Sequence, residues 1–301
     1  MLFRSYNAFF GFTQNPFNMS PDPSFLFRSW QHEEALANLI YGVQSRKGFI
    51  VLTGEVGTGK TTMLECLRDF LNAQQIAFAS LFNSRLSVEQ FFELLSYDLE
   101  LRCDRHSKTE VLLALNNMLL ERASVGRTTV LIVDEAHNLD WDVLEEIRLL
   151  GNLENRRGKL LQIIIAGQPE LDRKLEAPEF RQLKQRVALR CLLRGFDLAD
   201  SVAYMNSRMA RAGLKEQAIF SGPLMEEIQF RSQGIPRLIN AVCDNLLLTC
   251  FAMETKVATM EMLDEISADL RLDYPSERPL ESSPAYTEDL AQDSQIPYQI
   301  D

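Results

Sequence analysis

Cysteine and histidine are scarce in this chain, and the way they are spaced excludes several kinds of site. The five cysteines are odd in number, and no two have the CxxC spacing of a redox or zinc site. The three histidines show no metal-ligand spacing. We therefore expect small buried thiols in a reducing compartment. The cysteines are at positions 66, 103, 191, 243 and 250, and the histidines at 32, 106 and 137.

Long apolar runs are also missing. No window holds 18 uninterrupted apolar residues, which predicts that no helix spans a membrane. The first twelve residues lack the basic region, apolar run and small-residue cleavage site of a signal peptide. These two absences predict a cytoplasmic location.

Positive charge is in deficit. The formal net charge is −11, and residues 273–301 alone carry −6, with four prolines and few large apolar side chains. That composition predicts a disordered acidic tail. The remaining −5 offers no general attraction for phosphate backbones, so nucleic acid is not an expected partner, although a local basic patch stays open.

Strands and helices alternate along residues 31–196, which predicts an α/β core with a parallel sheet covered by helices on both faces. Residues 197–272 show only helical patterns and predict a small all-helical domain. Residues 1–30 hold seven phenylalanines among turn-forming prolines and predict an extended strap packed on a core. The predicted strands are 49–53, 76–82, 129–133 and 160–166.

A glycine-rich loop follows the first strand and opens a helix, and it matches the pattern G-x-x-x-x-G-K-[ST] in full. Backbone N–H groups at such a helix start favour phosphate. Lys60 should reach the β- and γ-phosphates of ATP, and the Thr61 hydroxyl should bind Mg²⁺. The predicted ATP-binding residues here are Gly54, Glu55, Val56, Gly57, Thr58, Gly59, Lys60 and Thr61.

Two acids end the third predicted strand, which is where α/β folds place their sites. We expect Asp134 to hold Mg²⁺, directly or through a water, and Glu135 to polarise the attacking water. Asn83 ends the second strand, and its amide could hydrogen-bond the Glu135 carboxylate if the two strands are neighbours. Gln168, after the fourth strand, would lie beside the γ-phosphate and the attacking water.

Three arginines are further candidates. Arg181 and Arg186 fall in a helix-like segment, 179–187, where they form either a solvated basic face or an arginine supplied across a subunit interface. Arg237 opens a helix of the all-helical part, after Gly234-Ile235-Pro236. It is either a surface arginine or one that reaches back to the γ-phosphate.

Taken together, these residues resemble the general secretion pathway A (ExeA) family of AAA+ ATPases. The similarity spans about residues 6–270 and includes TGEVGTGKTT, LIVDEAHNL, LLQIIIAGQPEL, QLKQRV and GIPRLIN, in family order. The resemblance implies a P-loop AAA+ core with a C-terminal helical lid. It matches a short form of the family that lacks the periplasmic peptidoglycan-binding region.

The resemblance also implies roles for single residues. It makes Gln168 a sensor-1 residue, Arg237 a sensor-2 residue and Asn83 the glutamate-switch partner of Glu135. Arg186 becomes the preferred arginine finger, with Arg181 in reserve. It extends the phosphate loop to Thr62 and implies that Pro16, Phe17 and residues near His32 lie close to the adenine.

The leading hypothesis is an oligomeric, Mg²⁺-dependent ATPase that drives or regulates assembly of a secretion, pilus or exopolysaccharide export system. Its subunits would meet at the ATP site, and an inner-membrane export or pilus partner would recruit it. A DNA-dependent ATPase of the MuB or TniB transposition-helper class is the first alternative. A nucleotide-gated scaffold that does not hydrolyse ATP is the second.

Overall fold

The structure is a computed structural model that describes residues 6–19, 27–82, 85–156, 158–214 and 218–272. The predicted acidic tail, 273–301, lies outside these ranges. Helices alternate with strands as far as residue 193, and in the described residues after that point the regular elements are all helices. The helices are Tyr6–Phe10 (α1), Trp30–Gln44 (α2), Lys60–Ala73 (α3), Val88–Asp98 (α4), Lys108–Ser124 (α5), Trp141–Leu150 (α6), Pro169–Glu176 (α7), Arg181–Lys184 (α8), Leu198–Arg211 (α9), Gly222–Ser232 (α10), Pro236–Ala252 (α11) and Met260–Asp269 (α12).

Five parallel strands form the central sheet in the order β2-β3-β6-β1-β7. The order places the strand before the phosphate loop beside β6, and β6 beside the strand that ends in the acidic pair. All five strands point the same way, so their carboxyl ends share one edge of the sheet. The strands are Phe49–Gly54 (β1), Ala77–Leu81 (β2), Thr129–Val133 (β3), Glu154–Asn155 (β4), Gly158–Lys159 (β5), Leu161–Gly167 (β6) and Val187–Leu193 (β7).

Side chains alternate between the two faces of the sheet, as the two-residue period of a strand requires. On β1, Phe49 and Val51 join the core under α4 to α8, whereas Ile50 and Leu52 join the core under α2 and α3. Strands β1, β3 and β6 are buried along their whole length. They are therefore fixed from both faces, and so are the loops at their carboxyl ends.

The C-terminal helices have a core of their own, and the N-terminal segment belongs to it. Phe10, Phe12 and Phe17 are buried among side chains of α9 to α12. Thr13 donates from its backbone N–H and its hydroxyl to the Ala212 carbonyl, at 2.7 and 3.0 Å. Within the predicted strap, residues 6–19 thus pack on the helical region, and they contain a short helix, α1, where an extended chain was predicted.

The α/β parallel-sheet core and the helical C-terminal region confirm the predicted fold class. Six elements were missed: the helices α1, α6 and α7, the edge strand β7, and the two strands of the small β4–β5 hairpin. The helix-like segment predicted over 179–187 is partly wrong, because α8 ends at Lys184 and Val187 begins β7. The predicted domain boundary at residue 196 lies between β7 and α9, and it stays a prediction.

Candidate functional site

The predicted phosphate loop joins β1 to α3 and depends on two glycines with positive φ. Gly57 has φ +85° and Gly59 has φ +101°, a conformation that side chains with a Cβ rarely adopt. A Cβ on Gly57 would lie 2.5 Å from the Cβ of Arg237, and one on Gly59 would lie 2.9 Å from Nε2 of His32. Arg237 and His32 therefore lie close to the loop on two sides, and a side chain at Gly57 or Gly59 would collide with them.

Lys60 begins α3 with its ammonium group folded back over the loop. Its Nζ donates to the carbonyls of Gly54, at 2.7 Å, and Glu55, at 2.9 Å, and the residue is buried. Burial lowers the pKa of Lys60, while the carboxylates of Glu135 and Asp134 oppose that change. The amine thus lies between the loop and the acidic pair, at the start of a helix whose dipole favours anions.

The end of β3 brings Asp134 to Thr61. The Thr61 hydroxyl donates to Oδ2 of Asp134 at 3.0 Å, and the other carboxylate oxygen accepts from the Glu135 backbone N–H at 2.8 Å. No cluster of three metal-binding side chains occurs in the described ranges. One hydroxyl and one carboxylate suit Mg²⁺, which usually takes its remaining ligands from water and substrate phosphates.

Glu135 follows with φ +51° and a side chain that is 39% exposed. One of its carboxylate oxygens lies 3.4 Å from Nδ1 of His137, and the backbone N–H of Gln168 donates to the same nitrogen at 3.3 Å. His137 therefore links the ends of β3 and β6.

Gln168 is the N-cap residue of α7, at the carboxyl end of β6. In the sheet, β6 lies between β1, which leads to Lys60, and β3, which leads to Glu135. Arg237 comes to the same edge from the helical region, where its backbone N–H is 3.4 Å from the Gly57 carbonyl. The structure thus places Arg237 against the phosphate loop and Gln168 at the same edge of the sheet, and their predicted roles stay predictions. Asn83 lies outside the described residues, although β2 is paired with β3 as its predicted role requires.

Arg186 lies at the opposite edge of the sheet. It precedes Val187, which pairs with Phe49 at the start of β1, whereas the phosphate loop follows Gly54 at the end of that strand. Five residues of strand separate these positions by roughly 17 Å. Arg186 donates to the Arg148 carbonyl at 3.2 Å and is half-buried, whereas Arg181 is exposed on α8. Neither arginine is part of the site in its own chain.

Sequence reasoning gave no role of their own to His32 and His137, which the structure places against the loop and the acidic pair. No local pattern marks either residue, because each contact joins segments far apart in the chain. Met63 and four residues of α2 border a cavity of about 250 Å³ beside His32. No helix in the part of the chain that the structure describes is long and apolar enough to cross a membrane.

Comparison with known proteins matches residues 43–175 to the family described as AAA domain. The general secretion pathway protein A of Aeromonas hydrophila is 41% identical over 249 residues, which cover 82% of this chain. The same alignment covers 45% of that protein, so this chain spans a little under half the length of its relative.

Solved structures resemble the fold at lower identity. Cdc6p from Pyrobaculum aerophilum has a TM-score of 0.65 at 20% identity and covers 86% of this chain and 71% of its own. A structure of Drosophila ORC bound to DNA has a TM-score of 0.60 at 20% identity, with coverages of 86% and 65%. The ORC2 protein of Aeropyrum pernix has a TM-score of 0.58 at 14% identity, with coverages of 86% and 72%.

Proposed function

The chain belongs to the AAA+ ATPase family and is a relative of general secretion pathway protein A, and from this premise we propose that it hydrolyses ATP to drive or regulate assembly of a cell-envelope export system. The observation that carries the proposal is the arrangement at one edge of the sheet. The phosphate loop follows β1, Thr61 lies in the first turn of α3, and Asp134 and Glu135 follow β3. These groups meet at that edge.

ATP binding is assigned to residues 54–62. Loop N–H groups and the Lys60 ammonium would hold the phosphates, and Lys60 would exchange its two carbonyl partners for phosphate oxygens. Thr61 and Asp134 would hold Mg²⁺, which neutralises phosphate charge when it is bound. Their 3.0 Å contact keeps the two oxygens close enough to serve one ion.

Glu135 is the proposed general base. Its carboxylate is exposed enough to meet a water, and its backbone is fixed by the hydrogen bond to Asp134. Gln168 would orient that water beside the γ-phosphate, and Arg237 would approach the same phosphate from the helical region. The role assigned to Asn83, as a hydrogen-bond partner of Glu135, stays a prediction.

Arg186 is the proposed arginine finger, and it would act on the ATP site of the neighbouring subunit. Its place at the far edge of the sheet supports an action in trans, because it cannot reach the phosphate loop of its own chain. The proposal therefore includes a homo-oligomer whose subunits meet at the ATP site. Arg181, exposed on α8, is the reserve candidate.

The export role rests on the relationship to general secretion pathway protein A. Since this chain covers less than half of that protein, the export system, its inner-membrane partner and a cytoplasmic location are all part of the proposal. The net charge of −11 disfavours the transposition-helper alternative, which needs DNA as a partner.

The test is ATP hydrolysis per subunit as a function of protein concentration, with Glu135→Gln as the blank. We expect a Glu135-dependent rate that climbs with concentration as subunits complete each other's sites. A large, salt-sensitive stimulation by DNA would instead support the transposition-helper class. ATP binding without Glu135-dependent turnover, with or without added membranes, would support the scaffold.

A further inference from the structure

His32 lies in the first turn of α2, and its imidazole reaches the phosphate loop. The residue is 5% exposed, and its Nε2 is 2.9 Å from the carbonyl oxygen of Thr58. Its Nδ1 is 2.8 Å from the hydroxyl of Ser29, the N-cap of the same helix. Both nitrogens of this buried ring therefore have partners.

The partners determine which nitrogen carries the proton. A carbonyl oxygen only accepts, so Nε2 is the donor to Thr58. Nδ1 then carries no proton and accepts from the Ser29 hydroxyl. Burial lowers the pKa of His32, although the Thr58 carbonyl and Asp200 oppose that change. The ring is thus a neutral hydrogen-bond donor aimed at the loop.

The His32 ring occupies the space beside Gly59, where the loop has no side chain of its own. Gly59 is positioned so that a Cβ would lie 2.9 Å from the same Nε2, and Thr58 is fully buried. The Thr58 hydroxyl is already engaged with the Glu55 carbonyl at 2.8 Å. Without His32, the Thr58 carbonyl would be left buried and unpaired, two residues before Lys60.

The same ring also contacts the connection to the helical region. The aromatic ring of Phe196 packs edge-on against it, with centroids 5.4 Å apart. The Phe196 backbone N–H donates to the Gly234 carbonyl at 2.8 Å, three residues before Arg237. Arg237 returns to the loop at Gly57. His32 therefore lies in a closed circuit of contacts that joins the phosphate loop to the helical region.

We propose that His32 is a positioning residue for ATP: its Nε2–H holds the Thr58 carbonyl and so keeps the phosphate loop in its binding shape. This inference rests on the proposed function, since it concerns the same site. His32 acts through the Thr58 carbonyl, and the proposal gives it no contact with a phosphate or a reacting atom. Its loss should therefore weaken ATP binding and leave the chemical step nearly unchanged.

The test compares two amides at position 32. His32→Gln carries an N–H near the place of Nε2 and should retain ATP affinity within about threefold. His32→Asn reaches only toward Ser29 and should weaken affinity about tenfold, as expected when a buried carbonyl loses its donor. ATP dissociation constants and KM should move together, while kcat changes less than about twofold. His106→Asn is the control, because His106 is exposed and pairs with Glu93.

The outcomes separate the two proposals. If wild type binds ATP in a Lys60-dependent way but His32→Asn binds equally well, the His32 proposal is wrong and the ATPase proposal stands. Equal weakening in the Asn and Gln variants would also overturn it, because the donor would then not matter. A wild-type chain that does not bind ATP would overturn both. His32→Leu replaces His32→Asn if thermal melting shows that the latter does not fold.

Discussion

The strands of the parallel sheet begin at one edge and end at the other, and these two edges differ in chemistry. At the carboxyl edge, separate hydrogen bonds join Lys60 to the Gly54 carbonyl, Thr61 to Asp134, and Gln168 to His137. At the amino edge, Arg186 is half-buried against the end of α6, with Glu145 and Arg148 nearby. One edge carries the glycine-rich loop and the acidic pair, and the other presents Arg186.

The proposed division of roles would leave a single chain incomplete. The carboxyl edge would supply the base and the metal ligands, and the amino edge would supply Arg186. If two copies meet with opposite edges facing, each supplies what the other is missing.

Mixing two inactive variants should restore activity if the edges complement each other. Glu135→Gln removes the base and Arg186→Ala removes the finger, and each should lower kcat by about 10² to 10⁴-fold or more. In a mixture, about a quarter of the interfaces would join an intact site to an intact arginine. We therefore expect partial recovery of ATP hydrolysis, up to about a quarter of the wild-type rate.

The control mixes Glu135→Gln with the double variant, in which no interface has both groups, and no recovery is expected. Arg181→Ala is the matched arginine control, since Arg181 is exposed on α8, five residues before Arg186. Full activity of Arg186→Ala with strong loss in Arg181→Ala would reassign the finger to Arg181.

The two glutamines at the ends of β6 offer a direct contrast between the edges. Gln168 lies at the carboxyl end and is proposed to orient the attacking water. Gln168→Ala should therefore lower kcat by about 10- to 100-fold. Its side chain makes no helix-capping hydrogen bond, so the melting temperature should change little.

Gln162, at the amino end, should behave in the opposite way. It is buried, accepts from the Gly48 N–H at 2.8 Å and donates to the Lys159 carbonyl at 3.1 Å. Gln162→Ala leaves both partners unpaired and should lower the free energy of unfolding by about 1–3 kcal/mol with kcat retained. If the two variants had the same profile, the two edges would not be functionally distinct.

The connection between the sheet and the helical region depends on the backbone conformation of a glycine, Gly234. Gly234 has φ +67°, and a Cβ there would collide with the carbonyl oxygen of Phe196. Gly234→Ala should therefore destabilise the chain by about 1–3 kcal/mol and displace Arg237 from the carboxyl edge. Chemical denaturation measures the first effect, and the KM for ATP the second. Gly222→Ala is the control, because a Cβ at Gly222 meets nothing within 4 Å.

The smallest expected effect is a pH dependence located at the carboxyl edge. Burial lowers the pKa of His32 from its usual 6.5, with Asp200 opposing and with Arg28 and Glu33 bordering the same cavity. The unfolded chain takes up a proton near pH 6.5, whereas the folded chain does so only at lower pH. The free energy of unfolding should therefore fall as pH drops below about 6.5, by about 1 kcal/mol or less.

This dependence is measured by urea denaturation between pH 7.5 and 5, both given as rough limits for a histidine titration. His32→Gln should flatten the decrease, whereas His106→Gln should leave it as in wild type. An equal slope in all three proteins would mean that other groups control stability over this range.

Much of the α/β core could be read from the sequence because its strands are buried on both faces. Runs such as Thr129–Val133 are continuous and apolar, so they are recognisable without knowledge of the fold. The edge strand β7 was missed for the converse reason. Its Ala188, Arg190 and Leu192 face solvent, and its mixed pattern resembles the end of a helix.

The site was predictable where it is local in the sequence. Residues 54–62 and Asp134–Glu135 lie on short motifs whose chemistry follows from their position after a strand. The contacts of His32 with Thr58, and of His137 with Gln168, join segments 26 and 31 residues apart. No periodicity or spacing carries that information, because it depends on how the elements pack.

The N-terminal segment has a consequence for the order in which the chain folds. Its phenylalanines and Thr13 have their partners in α9 to α12 and at Ala212, which leave the ribosome about two hundred residues later. Until then, Phe10, Phe12 and Phe17 have no core in which to pack, although the last strand of the sheet, β7, has already been synthesised. The emerging chain therefore carries a cluster of unburied aromatic rings through most of its synthesis.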